Sequence, residues 1–265
     1  MTSTATLTRN VQGAQAGPVP VTFTERGAGR PFLLLHGGGG PLTVDGFADL
    51  LAAERPARVI TPIHPGFAGT SRPEELGTVR ELAALYVSLL DALDMADVTV
   101  VGNSIGGWIA AEMAVLGSPR IGRVVLVDAV GIEVAGHPVA DFFAMTPRQV
   151  AEASYHDPDR FGIDPTKLPP DALQAMAGNR ATLARYAGAA MLDPTLRSRL
   201  AGVTVPTVVL WGDSDRIADA EYGRTFAEAI PGARFEVLAD TGHLPQIETP
   251  TQLLDAIWPL AKGAA

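Results

Sequence analysis

The chain has no cysteine. Disulfides, thiolate metal sites and a cysteine nucleophile are therefore excluded, and the composition fits a reducing compartment. Lysine is nearly missing too, occurring only as Lys167 and Lys262, while the formal net charge is −9. With no Lys/Arg stripe to meet a phosphate backbone, nucleic acid is not an expected partner. No apolar run approaches the length that crosses a bilayer, and residues 1–17 lack the basic and apolar blocks of a secretory leader. The expectation is a cytoplasmic protein with no membrane partner. What is present is globular: 47% of residues are hydrophobic and 18% charged. The 265 residues suffice for one large α/β unit, or for a core with a small insertion.

The most informative stretch is VTVVGNSIGGW, Val98 to Trp108. A β-branched run stops at Gly102, Ser104 stands between Gly102 and Gly106, and an Ala-rich helical pattern follows. This reads as strand, sharp turn and helix with the serine at the apex. Such a turn strains the Ser104 backbone and lifts Oγ above the sheet edge, and Gly102 and Gly106 must pass too closely for side chains. The helix aims its free N–H groups and positive dipole end at the same spot, so the Ile105 N–H is placed to stabilise an oxyanion.

In chain order, Ala5–Leu7 and Val19–Phe23 alternate as a strand pair, with Gln12-Gly13 and Gly17-Pro18 as turn signals. Pro31–Leu35 is a doubly buried strand ending in His36-Gly37-Gly38-Gly39-Gly40-Pro41. Four glycines there let the backbone approach a ligand and offer N–H groups, although the run alone equally suits a flexible loop. Val44–Glu54 reads as a helix, Ala57–Pro62 as a strand, Val79–Leu93 as a helix with a leucine stripe, and Arg123–Val127 as a strand ending at Asp128. Between Gly131 and Val203 no strand-like run appears. Helical patterns at Pro138–Met145, Pro147–Tyr155, Pro170–Ala177, Arg180–Met191 and Pro194–Leu200 suggest an inserted lid. The sheet resumes at Pro206–Leu210, followed by the helix Ala220–Ala229, the strand Arg234–Leu238 and the helix Thr251–Leu260. Strands alternating with helices imply a mostly parallel, doubly wound α/β sheet. The expected division is a core of residues 1–131 and 204–265 with a helical lid over 132–203. Trp108, Phe142, Phe143, Tyr186 and Met191 are the candidate substrate pocket.

Ser104, Asp215 and His243 each lie just past the C-terminal end of a strand, in the order Ser, Asp, His, and the Gly37–Gly40 loop shares that address. Asp213 and Asp128 are rival carboxylates on the same edge. Together HGGGGP at 36–41, Pro65-Gly66-Phe67, GNSIGG at 102–107, WGDSD at 211–215 and GHLPQIE at 242–248 resemble the α/β-hydrolase superfamily from about residue 18 to 261.

That resemblance implies an α/β-hydrolase sheet in which Ser104 is the nucleophile, His243 its base and Asp215 the acid that holds the imidazole. It places Asp215, three residues after Gly212, ahead of Asp213, which reads as a turn residue. The oxyanion hole is expected from the N–H groups of Ile105 and Gly38, with Gly39 as an alternative to Gly38. His36 is expected to tether the glycine loop and His64 to be structural. Serine at 104 argues against the dehalogenase and epoxide hydrolase branches, which use aspartate at that turn. The expected activity is hydrolysis of small to medium apolar esters or lactones. Two alternatives are open: cleavage of carbon–carbon bonds in ring-fission products, with Arg180 or Arg185 holding a substrate carboxylate, and a slow-turnover ligand receptor. Against the carbon–carbon reading, Leu244 follows His243 where those enzymes usually carry tryptophan. No cofactor and no metal are expected, and the partner is a small-molecule substrate bound by a monomer or homodimer.

Overall fold

A computed structural model describes residues 4–14 and 17–259. Eight strands form one sheet: β1 (Thr4–Gly13), β2 (Gly17–Gly27), β3 (Arg30–Leu35), β4 (Ala57–Pro62), β5 (Val98–Asn103), β6 (Ile121–Val127), β7 (Thr207–Gly212) and β8 (Arg234–Leu238). Their order is β1-β2-β4-β3-β5-β6-β7-β8. β1 and β2 pair antiparallel, with Leu7 opposite Phe23 as the alternation implies, and β2 runs antiparallel to β4. Every pairing from β4 to β8 is parallel. β5 and β7 are buried along their whole length, which is why their sequences read as continuous apolar runs rather than as alternation.

Helices cover both faces. α1 (Leu42–Glu54) packs its Phe47, Ala48 and Leu51 on one face. α2 (Val79–Ala92) lies on the other, opened by a capping box of Thr78 and Glu81 and buried along Leu82, Leu85, Tyr86 and Leu89. Truncating Leu85 to alanine costs about 2–5 kcal/mol, because its neighbours cannot close the hole. α3 (Ile105–Leu116) follows β5 directly, is buried over its first ten residues and stops at Gly117, φ +66°.

Between β6 and β7 the chain makes no strand. It forms α4 (Pro147–Ser154), α5 (Pro158–Phe161), α6 (Pro170–Ala187) and α7 (Leu196–Leu200). Two expectations need correction. Pro138–Met145 is not a helix: Asp141 caps a single 3-10 turn, Phe142–Ala144, and Thr146 then starts the capping box of α4. Pro170–Ala177 and Arg180–Met191 are not two helices. Gly178 and Asn179 leave α6 unbroken, and it ends only at Gly188, φ +67°. Asn179 does not compete for its own backbone because its amide is engaged elsewhere in the fold. The segment is fastened to the core by Arg199 of α7, which donates to both carboxylate oxygens of the buried Glu112 on α3 at 2.5 and 2.6 Å.

The chain closes with α8 (Ala220–Glu228), α9 (Pro245–Glu248) and α10 (Pro250–Ile257). The helix expected to reach Leu260 ends at Ile257, and Leu260 lies outside the described residues. The parallel strands deliver His36–Gly40, Ser104, Asp128, Asp215 and His243 to one edge of the sheet, each just past a strand end.

Candidate active site

Ser104 has φ 58° and ψ −121°, a conformation that L-residues avoid and that the surroundings must hold. They do so with backbone bonds: Ser104 N–H donates to Val127 O, and Ser104 O accepts from Trp108 and Val130 N–H. A Cβ on Gly102 would lie 2.0 Å from Gly106 O, and one on Gly106 2.2 Å from Leu35 O. The two glycines are therefore steric necessities of this turn, as the sequence implies.

His243 and Asp215 meet. His243 Nδ1 donates to Asp215 Oδ2 at 2.8 Å, and Asp215 Oδ1 accepts from Ile217 N–H at 2.7 Å and Ala218 N–H at 3.3 Å. Three donors thus converge on this buried carboxylate. Asp213 is exposed and ties a turn; against the raising effect of partial burial, the Ser214 hydroxyl and the Asp240 and Thr241 N–H groups that donate to it hold its carboxyl below the usual range. Asp128 is fully enclosed and accepts from Gly212 N–H at 2.8 Å, but makes no hydrogen bond to His243.

The glycine loop begins beside the serine: a Cβ on Gly37 would touch Ser104 Cβ at 3.3 Å. The N–H groups of Gly38, Gly39 and Ile105 have no hydrogen-bond acceptor among the described residues, so all three are free donors at the strand edge. Two buried imidazoles shape the loop. His36 Nε2 accepts from His64 N–H, which puts its proton on Nδ1, and Nδ1 donates to Gly37 O at 2.8 Å. His64 Nε2 donates to His36 O, leaving Nδ1 to accept from Tyr86 OH at 2.6 Å. Burial pushes His36 down to about 4 and His64 well below the ordinary imidazole range, so both are neutral.

The five pocket candidates fall into two groups. Trp108, Tyr186 and Met191 are buried in the main hydrophobic cluster, with Tyr186 OH donating to Pro65 O. Phe142 and Phe143 are half-buried against the same cluster, and both their carbonyls accept from Arg180, whose guanidinium also stacks on both rings. Arg180 is thus engaged within its own segment, and Arg185 is exposed against Gly77.

Three supporting residues were missed by the sequence reading. Asn103 donates to His243 O at 2.8 Å and accepts from Gln246 at 3.0 Å. Glu248 gathers the N–H groups of Gly242, His156 and Asp157, binding the turn before His243 to the segment after α4. Asn179 of α6 donates to Gly39 O at 3.1 Å and accepts from Ala68 N–H at 2.8 Å. Asn103 and Glu248 stand inside GNSIGG and GHLPQIE, a positional signal of a kind; Asn179 has none. Among the described residues the one cluster of ligand-type side chains is Asp128, Asp215 and His243, and its Nδ1–Oδ2 contact is already a hydrogen bond.

A 2-hydroxy-6-oxo-2,4-heptadienoate hydrolase of Pseudomonas putida is 29% identical over 258 residues, 88% of this chain and 89% of that one. Lipase 1 of Psychrobacter immobilis is 28% identical, over 89% of this chain and 78% of its own. An esterase from Thermogutta terrifontis superposes with a TM-score of 0.76 over 97% of both chains at 23% identity, a likeness of fold. The model of the alpha/beta hydrolase family matches residues 32–256, and the chain belongs to that family.

Proposed function

We propose that the protein is a serine hydrolase of small to medium uncharged esters or lactones, working through Ser104, His243 and Asp215 beneath a lid formed by residues 132–203. The observation that carries the reading is the strained Ser104 turn on the same sheet edge as the His243–Asp215 hydrogen bond, beside three unpaired N–H groups. In this mechanism Ser104 Oγ attacks the ester carbonyl as His243 Nε2 takes its proton. Asp215 keeps the Nδ1 proton in place and balances the imidazolium. The tetrahedral oxyanion accepts from Ile105 N–H and from Gly38 N–H, with Gly39 as the alternative donor. Each such donor is worth about 2.7–4 kcal/mol in the transition state. Collapse expels the alcohol, which receives the proton from His243, and water then hydrolyses the acyl-enzyme by the same steps.

Neutral substrates are favoured because Arg180 is engaged by the Phe142 and Phe143 carbonyls and Arg185 faces outward, which leaves neither to bind a substrate carboxylate. The second reading, carbon–carbon hydrolysis of ring-fission products, is favoured by the Pseudomonas putida relative at 29% identity. Parallel kcat/KM measurements on p-nitrophenyl acetate, butyrate and octanoate and on a yellow dienol ring-fission product test the choice. Ester turnover exceeding dienol bleaching by at least about tenfold, a difference of roughly 1.4 kcal/mol, supports the first reading. The reverse ratio establishes the second.

A further inference from the structure

Asp128 is a buried acid that the mechanism above does not use. It stands at the end of β6 with φ 46°, a strained backbone held by its N–H bond to Leu210 O. Its side chain is wholly removed from solvent. One carboxyl oxygen accepts from Gly212 N–H at 2.8 Å, and the other, Oδ2, has no hydrogen-bond partner. One carboxyl oxygen each of Asp128 and Asp215 and a ring nitrogen of His243 lie within 4.8 Å of one another. Asp215 and His243, on the turns after β7 and β8, are the acid and the imidazole of that cluster that face it.

Two carboxylates this close in a dry site do not both ionise; the charge settles where the donors are. Asp215 has two backbone N–H groups and the His243 Nδ1–H, whereas Asp128 has Gly212 N–H alone. We propose that Asp128 keeps its proton and acts as a positioning acid behind Asp215, its neutral carboxyl stabilising the Asp215 charge and so moderating the pull of that charge on His243. Burial and the Asp215 charge both push the Asp128 carboxyl well above the usual carboxylate range, in keeping with this assignment. The unpartnered Oδ2 is the atom on which the proton belongs, since a protonated oxygen with an ionised neighbour serves as a donor where a bare one would only repel.

The inference rests on the reading of Ser104, His243 and Asp215 as the reacting trio, so its test has one arm that needs no turnover. The infrared spectrum of the wild-type protein at pH 8 is expected to show the carbonyl stretch of a protonated carboxylic acid, lost in Asp128→Asn. In the second arm, kcat/KM for p-nitrophenyl butyrate is followed from pH 5 to 9. Asp128→Asn, which keeps a neutral donor, holds kcat/KM within about threefold with the acid limb unmoved, whereas Asp128→Ala loses about tenfold. The alanine variant's acid limb moves to higher pH, because Asp215 stripped of its donor grips the imidazolium harder. An ionised Asp128 gives the opposite sign: both variants remove a negative charge and move the limb to lower pH. That result, or a wild-type spectrum without the acid band, overturns the proposal. Should one variant fail to fold, loss of the band in the other decides. Should Ser104→Ala prove as active as wild type, the trio reading falls while the band still reports where the proton sits.

Discussion

Replacing Asn103 by alanine removes both the donor to the His243 carbonyl and the acceptor of the Gln246 amide. Both partners are buried, so the loss of stability is expected at about 1–3 kcal/mol, read from urea unfolding midpoints, with a fall in kcat as the His243 turn loosens. The imidazoles of His36 and His64 act on a different quantity. In the unfolded chain both titrate at the ordinary value of 6.5, whereas His36 in the fold does so at about 4 and His64 also lies well below. Between those values the unfolded chain binds protons that the folded one refuses. Stability is therefore full above pH 6.5 and declines as pH falls toward 4, by on the order of 3 kcal/mol for His36 alone. Thermal unfolding followed across this range is expected to show the decline, and His36→Gln to weaken it. A midpoint that stays flat from pH 6.5 to 4.5 contradicts the assignment of neutral buried rings.

Helix α6 is the element on which the glycine loop leans. One of its faces sends Asn179 to Gly39 and Ala68, Thr182 to Gly66 O and Tyr186 to Pro65 O, while Leu183 packs where a Cβ on Gly38 would stand. Asn179→Ala frees the Gly39 carbonyl and with it the neighbouring N–H donors. It is expected to lower kcat about tenfold with a smaller change in KM, since in the proposed mechanism the loop acts when the oxyanion forms. Steady-state kinetics on p-nitrophenyl butyrate give the split, and a change confined to KM would place Asn179 in binding instead. Helix α7 contributes stability. Arg199→Ala leaves Glu112, almost fully buried, as an uncompensated charge, which costs about 3–5 kcal/mol in urea unfolding.

At the scale of the whole molecule, the inner strands β3, β5, β6 and β7 are legible because each is a largely apolar run followed at once by a turn: His36-Gly37 after Leu35, Ser104 after Asn103, Asp128 after Val127 and Asp213 after Gly212. The edge position of Ser104, Asp215 and His243 followed from strand order, and the crowding at Gly102 and Gly106 from the chemistry of the turn. The segment between β6 and β7 was read poorly. Gly178-Asn179 looks like a helix break in one dimension; in three, Asn179 bonds residues 140 and 111 positions away and α6 runs on. Arg180 likewise reads in sequence as available to a substrate; in the fold it donates to the Phe142 and Phe143 carbonyls. Sequence period and composition carry local preference, and these contacts are long-range, so nothing local announces them.

The most direct test of the account compares initial rates of p-nitrophenyl butyrate hydrolysis by wild type and Ser104→Ala at pH 8. The account predicts ordinary enzymatic turnover for wild type, at roughly 1–10³ per second, and a loss of at least about 10³-fold in the variant. Equal rates in the two proteins, at any level, would contradict Ser104 as the nucleophile.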